Sequence, residues 1–307
     1  MSTYPPPPIA SSGTNLTASY FLSQPSFVAR RLRTLADLRY IGAQLLRGRA
    51  TTTGGAVGYE EAGEGIFADD APEVVAPGGE YTLTTAGAGK PVVAKVSKFG
   101  KDSIVTLEDV VRRNMDPVER SLTKLANSAA LIIDQACGSA VASAVTQTSA
   151  AASKWTTSTS TTLQEVMLAQ SSMSSLNLGY SADTLLVSDV VWAYLASSKD
   201  IAALMARENM NNPVYTGRFS NLAGLDIVHV PAANLPGGDG TNAWLLDTKN
   251  LGFIATEQLG GGYQAAGDLV ESKVKATDND GWRLRVRVNF AAAVTDPGAG
   301  FKITGVA

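Results

Sequence analysis

Cysteine and histidine are almost absent from this chain of 307 residues, which contains only Cys137 and His229. A single cysteine excludes an intrachain disulfide and fits a reducing compartment. The pair cannot form a zinc site built from cysteine and histidine ligands, and a Ser-His-Asp site would have to use His229. We interpret His229 as a strand residue at a surface and Cys137 as a buried packing residue. The sequence therefore predicts no enzyme, no metal site and no cofactor.

Long apolar runs are also missing. The longest, residues 129–133, stops at Asp134, far short of the ~18–20 residues that cross a bilayer. Residues 1–8 have neither the basic start nor the apolar core of a signal peptide. We therefore predict a protein that does not contact a membrane.

Charged residues make up only 17% of the chain, but their distribution is uneven. Residues 1–50 contain six arginines and a single acidic residue, Asp37. Residues 54–89 contain no lysine or arginine, and they carry seven acids: Glu60, Glu61, Glu64, Asp69, Asp70, Glu73 and Glu80. A basic segment is thus followed by an acidic loop, and we expect both to have partners.

The N-terminal third predicts an arm, a helix and a projecting loop. Residues 1–24, which begin with a run of four prolines, predict an extended arm, and an apolar stripe in residues 26–47 predicts a helix. Residues 51–90 are rich in glycine and acids, and a structureless loop of that length is uncommon in a compact domain. We predict a projecting β-hairpin instead, with residues 80–84 and 91–96 in or near its returning side.

The middle of the chain predicts a long helix. Thr106 and Asp109 resemble the capping box of a short first helix. Asp116 as an N-cap and Pro117 at the first helical position then predict a second helix, which runs to about Val145 and is on the order of 45 Å long.

Helices and strands alternate in the second half. Thr162 and Glu165 predict a capping box for a helix that ends near Gly179. Further on, the patterns predict one helix, 189–196, and strands at 184–187, 225–230 and 243–246. This alternation predicts an α+β or α/β lobe.

The C-terminal strands combine an apolar face with a basic face. A two-residue turn would place Ala276 opposite Arg285, whereas a three-residue loop would place it opposite Leu284. The three-residue loop is favoured because it places apolar residues of the two strands opposite each other. The outer face would then carry Lys273, Lys275, Arg283, Arg285 and Arg287, and it would repel itself unless anions were close.

The order of these parts resembles a known family. Residues 95–100 lead into Ile104–Asp109 and the long helix, and a Trp282–Arg285 strand comes late in the chain. The most family-like stretches are residues 77–81 and the closing strand pair with its Asp296-Pro297 turn. The chain resembles the major capsid proteins of tailed bacteriophages, which have the Hong Kong 97 fold, over roughly residues 54–307.

The resemblance implies an α+β capsid fold with an N-terminal arm, an extended loop, a peripheral domain with a long spine helix, and an axial domain. The implied bounds are 1–53 for the arm with its basic helix, 54–97 for the extended loop, 98–160 for the peripheral domain with the spine helix, 161–262 for the axial domain and 263–307 for the C-terminal strands of the peripheral domain.

The resemblance also implies a function. Such subunits assemble in the host bacterial cytoplasm into hexamers and pentamers that close an icosahedral virion capsid around double-stranded DNA. The short arm implies a separate scaffolding protein, and a portal and an optional decoration protein are further partners. Some members cross-link a lysine of the extended loop to a neighbour. Residues 50–89 lack lysine, so we predict no such cross-link.

Two contacts follow as hypotheses. The acidic extended loop of one subunit (Glu60, Glu61, Glu64, Asp69, Asp70 and Glu73) would lie on the basic strand face of a neighbour (Lys273, Lys275, Arg283, Arg285 and Arg287). The arginines of the basic helix (Arg30, Arg31, Arg33 and Arg39) would face the interior and contact DNA or scaffold. A solvated surface helix explains these arginines equally well.

Three other interpretations remain open at this point. An encapsulin-type nanocompartment shell would share the fold without a packaged genome. A surface-binding or adhesin module belongs to a different class, and the long helix argues against it. A hydrolase would depend on the lone His229.

Overall fold

A computed structural model describes residues 18–36, 41–62, 73–83, 89–113, 115–157, 161–198, 201, 220–277 and 279–307. The helices are α1 (Ala18–Ser23), α2 (Pro25–Ala36), α3 (Gly42–Leu45), α4 (Leu107–Arg113), α5 (Asp116–Ala144), α6 (Thr162–Ser174) and α7 (Asp189–Ser197). The strands are β1 (Gly48–Thr52), β2 (Ala56–Glu61), β3 (Lys90–Lys95), β4 (Ser97–Thr106), β5 (Thr148–Ala150), β6 (Thr184–Ser188), β7 (Asn221–Leu222), β8 (Leu225–Val230), β9 (Ala243–Leu246), β10 (Gly252–Glu257), β11 (Gln264–Ala265), β12 (Glu271–Thr277), β13 (Gly281–Val294) and β14 (Gly300–Thr304).

Within the described residues, the strands form two six-stranded sheets and one hairpin. The first sheet has the order β1-β10-β13-β12-β11, and β4 pairs with the same long β13. The second sheet has the order β5-β14-β9-β6-β8-β7. The hairpin consists of β2 and β3, paired antiparallel from Ala56 opposite Lys95 to Glu61 opposite Lys90. The mixture of helices and largely antiparallel sheets confirms the α+β fold.

Helix α5 is the core helix of the first sheet. Its buried apolar residues recur every three or four positions, as in one face of an amphipathic helix: Val118, Leu122, Leu125, Ala129, Ile133, Cys137 and Val141. This face packs on β4 and β13, and α2 and α3 also pack against the helix. Among the described residues, α5 is the one helix long and apolar enough to cross a membrane, and half of its most apolar stretch is buried inside the protein.

Local sequence signals explain several element ends. The Thr106 hydroxyl and the Asp109 side chain form the predicted capping interaction at α4, with 3.0 Å between Oγ1 and Oδ2. The Ser188 hydroxyl accepts a hydrogen bond from the Val191 N–H and so caps α7. Strand β6 is buried at every position, as expected of a strand covered on both faces.

The predicted capping box at Thr162 is wrong. The Thr162 hydroxyl is buried and has no hydrogen-bond partner among the described residues. The Glu165 carboxylate instead accepts from the Ala152 N–H at 3.0 Å and from Trp155 Nε1 at 2.7 Å. Glu165 therefore ties α6 to the loop before it rather than capping its own helix. The helix also ends earlier than predicted, at Ser174.

The predicted bounds of arm and domains differ from the structure. Residues 48–52 are not part of an arm, because β1 pairs in parallel with β10 in the first sheet. Strand β10 in turn lies within the range predicted for the axial domain, yet it belongs to the first sheet. Conversely, β5 and β14 belong to the second sheet. The chain therefore passes between the sheets more often than a division into consecutive blocks predicts.

The register at the C-terminal hairpin differs from the predicted one by two positions. Ala276 lies opposite Trp282 rather than Leu284, and Thr277 lies opposite Gly281, so three residues separate the two strands as predicted, but one position earlier in the chain. Asp280 adopts a φ of 41°, the left-handed conformation that closes such a loop. The predicted match of apolar with apolar and basic with basic faces holds. The closing strands do not pair with each other, because β13 lies in the first sheet and β14 in the second.

Candidate interaction surfaces

The basic strand face lies on the outer side of β12 and β13, opposite α5. Lys273 is directly opposite Arg285, and Lys275 is directly opposite Arg283. Both arginines bind the carboxylate of Asp102 on β4, at 2.7 Å from each Nε. The anion that this face requires thus comes from the same chain. Four cations and one carboxylate leave this face with a net charge of +3.

Arg287 does not belong to this exposed face, so the prediction that it does is wrong. Its side chain is only 6% exposed and forms an ion pair with Glu271. The guanidinium also donates to the Gly260 carbonyl and lies 3.5 Å from the ring centroid of Tyr263. Arg287 therefore fixes the glycine-rich turn onto the sheet and is too buried to contact a partner.

The acidic residues lie on the hairpin and on the segment that it carries. Glu60 and Glu73 are exposed, and Glu61 is half-buried with the Lys90 ammonium 4.0 Å away. Three predicted members of this acidic set, Glu64, Asp69 and Asp70, lie outside the described residues. Among the described residues, Glu60, Glu61 and Glu73 form no ion pair with the basic strand face of their own chain.

The segment 73–83 exposes apolar side chains to an unusual degree. Val74 is fully exposed, Leu83 is 98% exposed and Tyr81 is 84% exposed. Between them, the Gly79 N–H donates to the Ala76 carbonyl across a Pro77-Gly78 turn. Single exposed apolar residues are ordinary, but a group on one projecting segment marks a surface that a partner covers.

The N-terminal arginines have different environments. Arg31 donates to the carboxylate of Glu119 on α5 through three contacts of 3.0–3.2 Å. It therefore holds α2 against the core helix. Arg30 and Arg33 are exposed on α2, and Arg39 lies outside the described residues.

Asp134 is a structural residue that connects α5 with the start of α3. It is 8% exposed in the middle of α5, and its Oδ1 accepts hydrogen bonds from the N–H groups of Ile41 (3.0 Å) and Gly42 (2.7 Å). Burial raises its pKa to about 6, although the two hydrogen bonds oppose that shift. The sequence signal for this role is that an acidic residue directly follows the longest apolar run. Its partners, more than 90 residues away, were not visible in the sequence.

The two residues considered for chemistry have structural surroundings. Cys137 is fully buried, and burial raises the pKa of its thiol to about 12, which makes it a poor nucleophile. His229 Nδ1 lies 2.7 Å from Asp189 Oδ1, and the ring stacks on Trp192. The nearby Ser188 hydroxyl is buried and caps α7. Among the described residues there is no cluster of three or more His, Cys, Asp or Glu side chains fit to hold a metal.

An apolar groove of about 390 Å³ lies between α5 and the strands β4 and β13. Its walls are mainly apolar, with Phe99, Leu125, Ile132, Val286 and Val288 among them. Such a lining suits an apolar side chain and supplies no set of groups for acid–base chemistry.

Comparison with known proteins agrees with this architecture. The sequence profile of a phage capsid protein family matches residues 89–303. No curated protein matches the sequence. Among solved structures, the capsid of the cyanophage P-SCSP1u is similar, with a TM-score of 0.64, 13% identity and coverage of 86% of this chain and 88% of that one.

Two further structures are similar in fold. A phage-related protein from Bordetella bronchiseptica has a TM-score of 0.61 and 14% identity, covering 92% of this chain and 97% of its own. The virus-like particle from Pyrococcus furiosus has a TM-score of 0.56 and 10% identity, covering 91% and 98%. At these identities the likeness shows the fold alone, whereas the matching profile covers more than two thirds of the chain.

Proposed function

Since the chain belongs to the phage capsid protein family and is a structural subunit of the virion capsid, we propose that its copies form hexamers and pentamers that close an icosahedral shell around double-stranded DNA. Membership of a capsid family excludes a surface-binding adhesin. It also leaves no need to interpret His229 as the catalytic residue of a hydrolase. Self-assembly is the activity of such a subunit, and we propose no catalytic step.

The observation that carries the proposal is the exposed apolar segment 73–83 at the end of an acidic hairpin. Val74, Tyr81 and Leu83 lose almost no surface to their own chain. At roughly 25 cal/mol per Å² of apolar area removed from water, covering them would supply much of a subunit contact before association costs. In a protein that assembles from many copies of itself, a neighbouring copy is the natural cover.

The basic strand face is the receiving surface. Lys273, Lys275, Arg283 and Arg285 leave a net charge of +3 after pairing with Asp102. The hairpin of the neighbour contributes Glu60, Glu61 and Glu73, together with the acids outside the described residues, Glu64, Asp69 and Asp70. Each exposed pair is worth only ~0–1 kcal/mol. A set of such pairs repeated at every subunit contact selects register and orientation.

The arginines of α2 have a separate role in this proposal. Arg30 and Arg33, with Arg39, face the shell interior, where scaffold or packaged DNA supplies negative charge. Arg31 contributes less than the sequence suggested, because its guanidinium is engaged with Glu119.

The remaining partners follow from the same proposal. Assembly takes place in the host bacterial cytoplasm with a separate scaffolding protein and a portal, and a decoration protein is an optional addition to the closed shell. The shell needs neither a cofactor nor a membrane.

An encapsulin-type shell is the second candidate, supported by the likeness to the virus-like particle from Pyrococcus furiosus. Nucleic acid distinguishes the two candidates. A phage shell isolated from infected cells contains the genome, whereas a nanocompartment contains protein cargo.

Negative-stain electron microscopy of the expressed protein, with and without its scaffolding protein, tests the proposal. Closed shells, tubes or six-fold rings are the expected result. A Lys275→Glu variant serves as the probe of the basic strand face, since Lys275 forms no ion pair with any described residue, and we expect it to reduce assembly without unfolding the subunit. A persistent monomer under all conditions would contradict the proposal.

A further inference from the structure

The extended hairpin leaves the first sheet at one end of the pairing between β1 and β10. Thr52 and Glu257 are the last pair of this parallel ladder. Only residues 53–55 connect Thr52, the end of β1, to Ala56, where β2 begins. The conformation of this short connection therefore determines the direction in which the hairpin and the segment 73–83 project.

Packing does not hold this connection in place. Gly54 has a φ of 123° and Gly55 a φ of 76°, and a Cβ added at either position would meet no atom within 4 Å. Glycines without side-chain contacts have access to a wide range of backbone conformations. Something other than packing must select the observed one.

Hydrogen bonds select this conformation: the Thr52 hydroxyl donates to the Ala56 carbonyl at 2.8 Å, the Val96 N–H donates to the Gly55 carbonyl at 2.9 Å, and the Glu257 carboxylate binds the amides of both glycines. The Oε1 atom of Glu257 accepts hydrogen bonds from the Gly54 N–H at 2.9 Å and from the Gly55 N–H at 3.1 Å. Two successive amides directed at one anionic oxygen form a concave anion-binding nest. Hydrogen bonds to an ionised acceptor are stronger than those to a neutral one.

Two further contacts fix β2 along its length. The Tyr59 ring meets the Phe253 ring edge-on, with 5.7 Å between centroids. At the far end of β2, the Ala62 N–H donates to the Thr295 carbonyl at 2.8 Å. Glu257 holds the near end, so the first strand of the hairpin is attached to the body of the subunit at three points.

We propose that Glu257 is a positioning residue that sets the direction of the extended hairpin and thereby the place where its tip meets the neighbouring copy. The inference rests on the proposed function, because it takes the hairpin to be a subunit contact. Glu257 acts together with the contacts of Tyr59 and Ala62, and it holds the end of β2 that is nearest the sheet, so its loss frees the glycines at which the hairpin begins.

The test compares three variants of Glu257 with the exposed Glu108→Ala as the matched control. Glu257→Ala removes the acceptor, and Glu257→Asp withdraws it by one methylene while keeping the charge. Glu257→Gln keeps an oxygen at the same distance. Amide hydrogen exchange at Gly54 and Gly55 is measured on the unassembled subunit, and the yield of regular shells is measured by electron microscopy.

We expect exchange at both glycines to be at least about ten-fold faster in the Ala and Asp variants and within about three-fold of the parent in the Gln variant. Regular shells should be lost in the first two variants and retained in the Gln variant and the control. Unchanged exchange in Glu257→Ala overturns the proposed contact, and faster exchange with normal shells overturns its positioning role. If Tyr81→Ser also assembles normally, the hairpin contact itself is wrong rather than the role of Glu257 alone.

Discussion

The carboxylate of Asp102 binds the guanidinium of Arg285 through two hydrogen bonds of 2.7 Å, from directly opposite positions on β4 and β13. The same carboxylate binds Arg283, two residues further along β13 on the same face. A basic face that would otherwise repel itself is thus stabilised from within the subunit, yet it retains an excess of positive charge for a partner.

Removing this carboxylate should destabilise the subunit in a pH-dependent way. The hydrogen bond from Arg285 lowers the pKa of Asp102 below its ordinary value of 3.8. Its stabilising contribution is therefore present above pH 3.8 and is lost as pH falls through the lower pKa of the folded state. We expect Asp102→Asn to cost about 1 kcal/mol at pH 7, since the arginines are partly exposed. Urea denaturation of the unassembled subunit measures the difference, and a cost that stays constant down to pH 3 would argue against the pairing.

Arg287 and Arg283 should differ although they are near neighbours on one strand. Arg287→Met leaves the Glu271 side chain, which is 16% exposed, without its cation and removes the contact with Tyr263, so we expect a loss of about 3 kcal/mol in the free energy of unfolding. Arg283→Met should cost less than about 1 kcal/mol, because Asp102 keeps Arg285. Chemical denaturation of the two variants side by side checks this, and equal losses would show that Arg287 is not buried as described.

Asp134 should make the subunit more stable as the solution becomes mildly acidic. Its folded-state pKa of about 6 lies above its ordinary value of 3.8. The folded state therefore binds the proton more tightly, so this group stabilises fully below pH 3.8 and the contribution is lost as pH rises through about 6.

Asp134→Asn is the matched variant, because its side-chain oxygen can still accept from Ile41 and Gly42. The stability difference between the variant and the parent should change by about 2–3 kcal/mol between pH 4 and pH 7.5, in favour of the variant at the higher pH. Thermal denaturation across this range measures it. A difference that does not change with pH would mean that Asp134 titrates normally.

Exposed apolar residues of the segment 73–83 should matter for assembly and not for folding. Tyr81→Ser and Leu83→Ser remove side chains that pack on almost nothing in their own chain, so we expect the free energy of unfolding to change by less than about 0.5 kcal/mol. The yield of shells should fall sharply, while Val111→Ser, an exposed residue on α4, should assemble normally. A loss of stability equal to the loss of assembly would place these side chains inside the fold.

Patterns within short stretches predicted much of this structure. Strands β8 and β9 have the predicted bounds, and α5 ends one residue before the expected Val145. The Thr106 cap was predictable because both partners lie within one helical turn. The alternation of apolar and basic residues predicted which side chains of β12 and β13 share a face.

Contacts between distant residues were not predictable from one sequence. Arg287 lies on the same face of β13 as Arg283 and Arg285, so the alternation of the strand does not distinguish it from them. It is buried because the turn at Gly260 packs against it. Glu165 looked like a capping residue, but its partners come from a loop folded back onto α6. Asp134 and Glu257 act on backbone amides 92 and more than 200 positions away, and no local pattern encodes such pairs.

A charge-exchange experiment tests the central claim most directly, namely that the acidic hairpin of one subunit binds the basic strand face of the next. One variant carries Arg283→Glu and Arg285→Glu, a second carries Glu60→Lys, Glu61→Lys and Glu73→Lys, and circular dichroism confirms that each folds. The measurement is the yield of closed shells as a function of salt for each variant alone and for the two changes combined in one chain. We predict that each change alone abolishes assembly and that the combination restores it at least in part. Normal assembly and an unchanged salt dependence in the Arg283→Glu, Arg285→Glu variant would contradict the account.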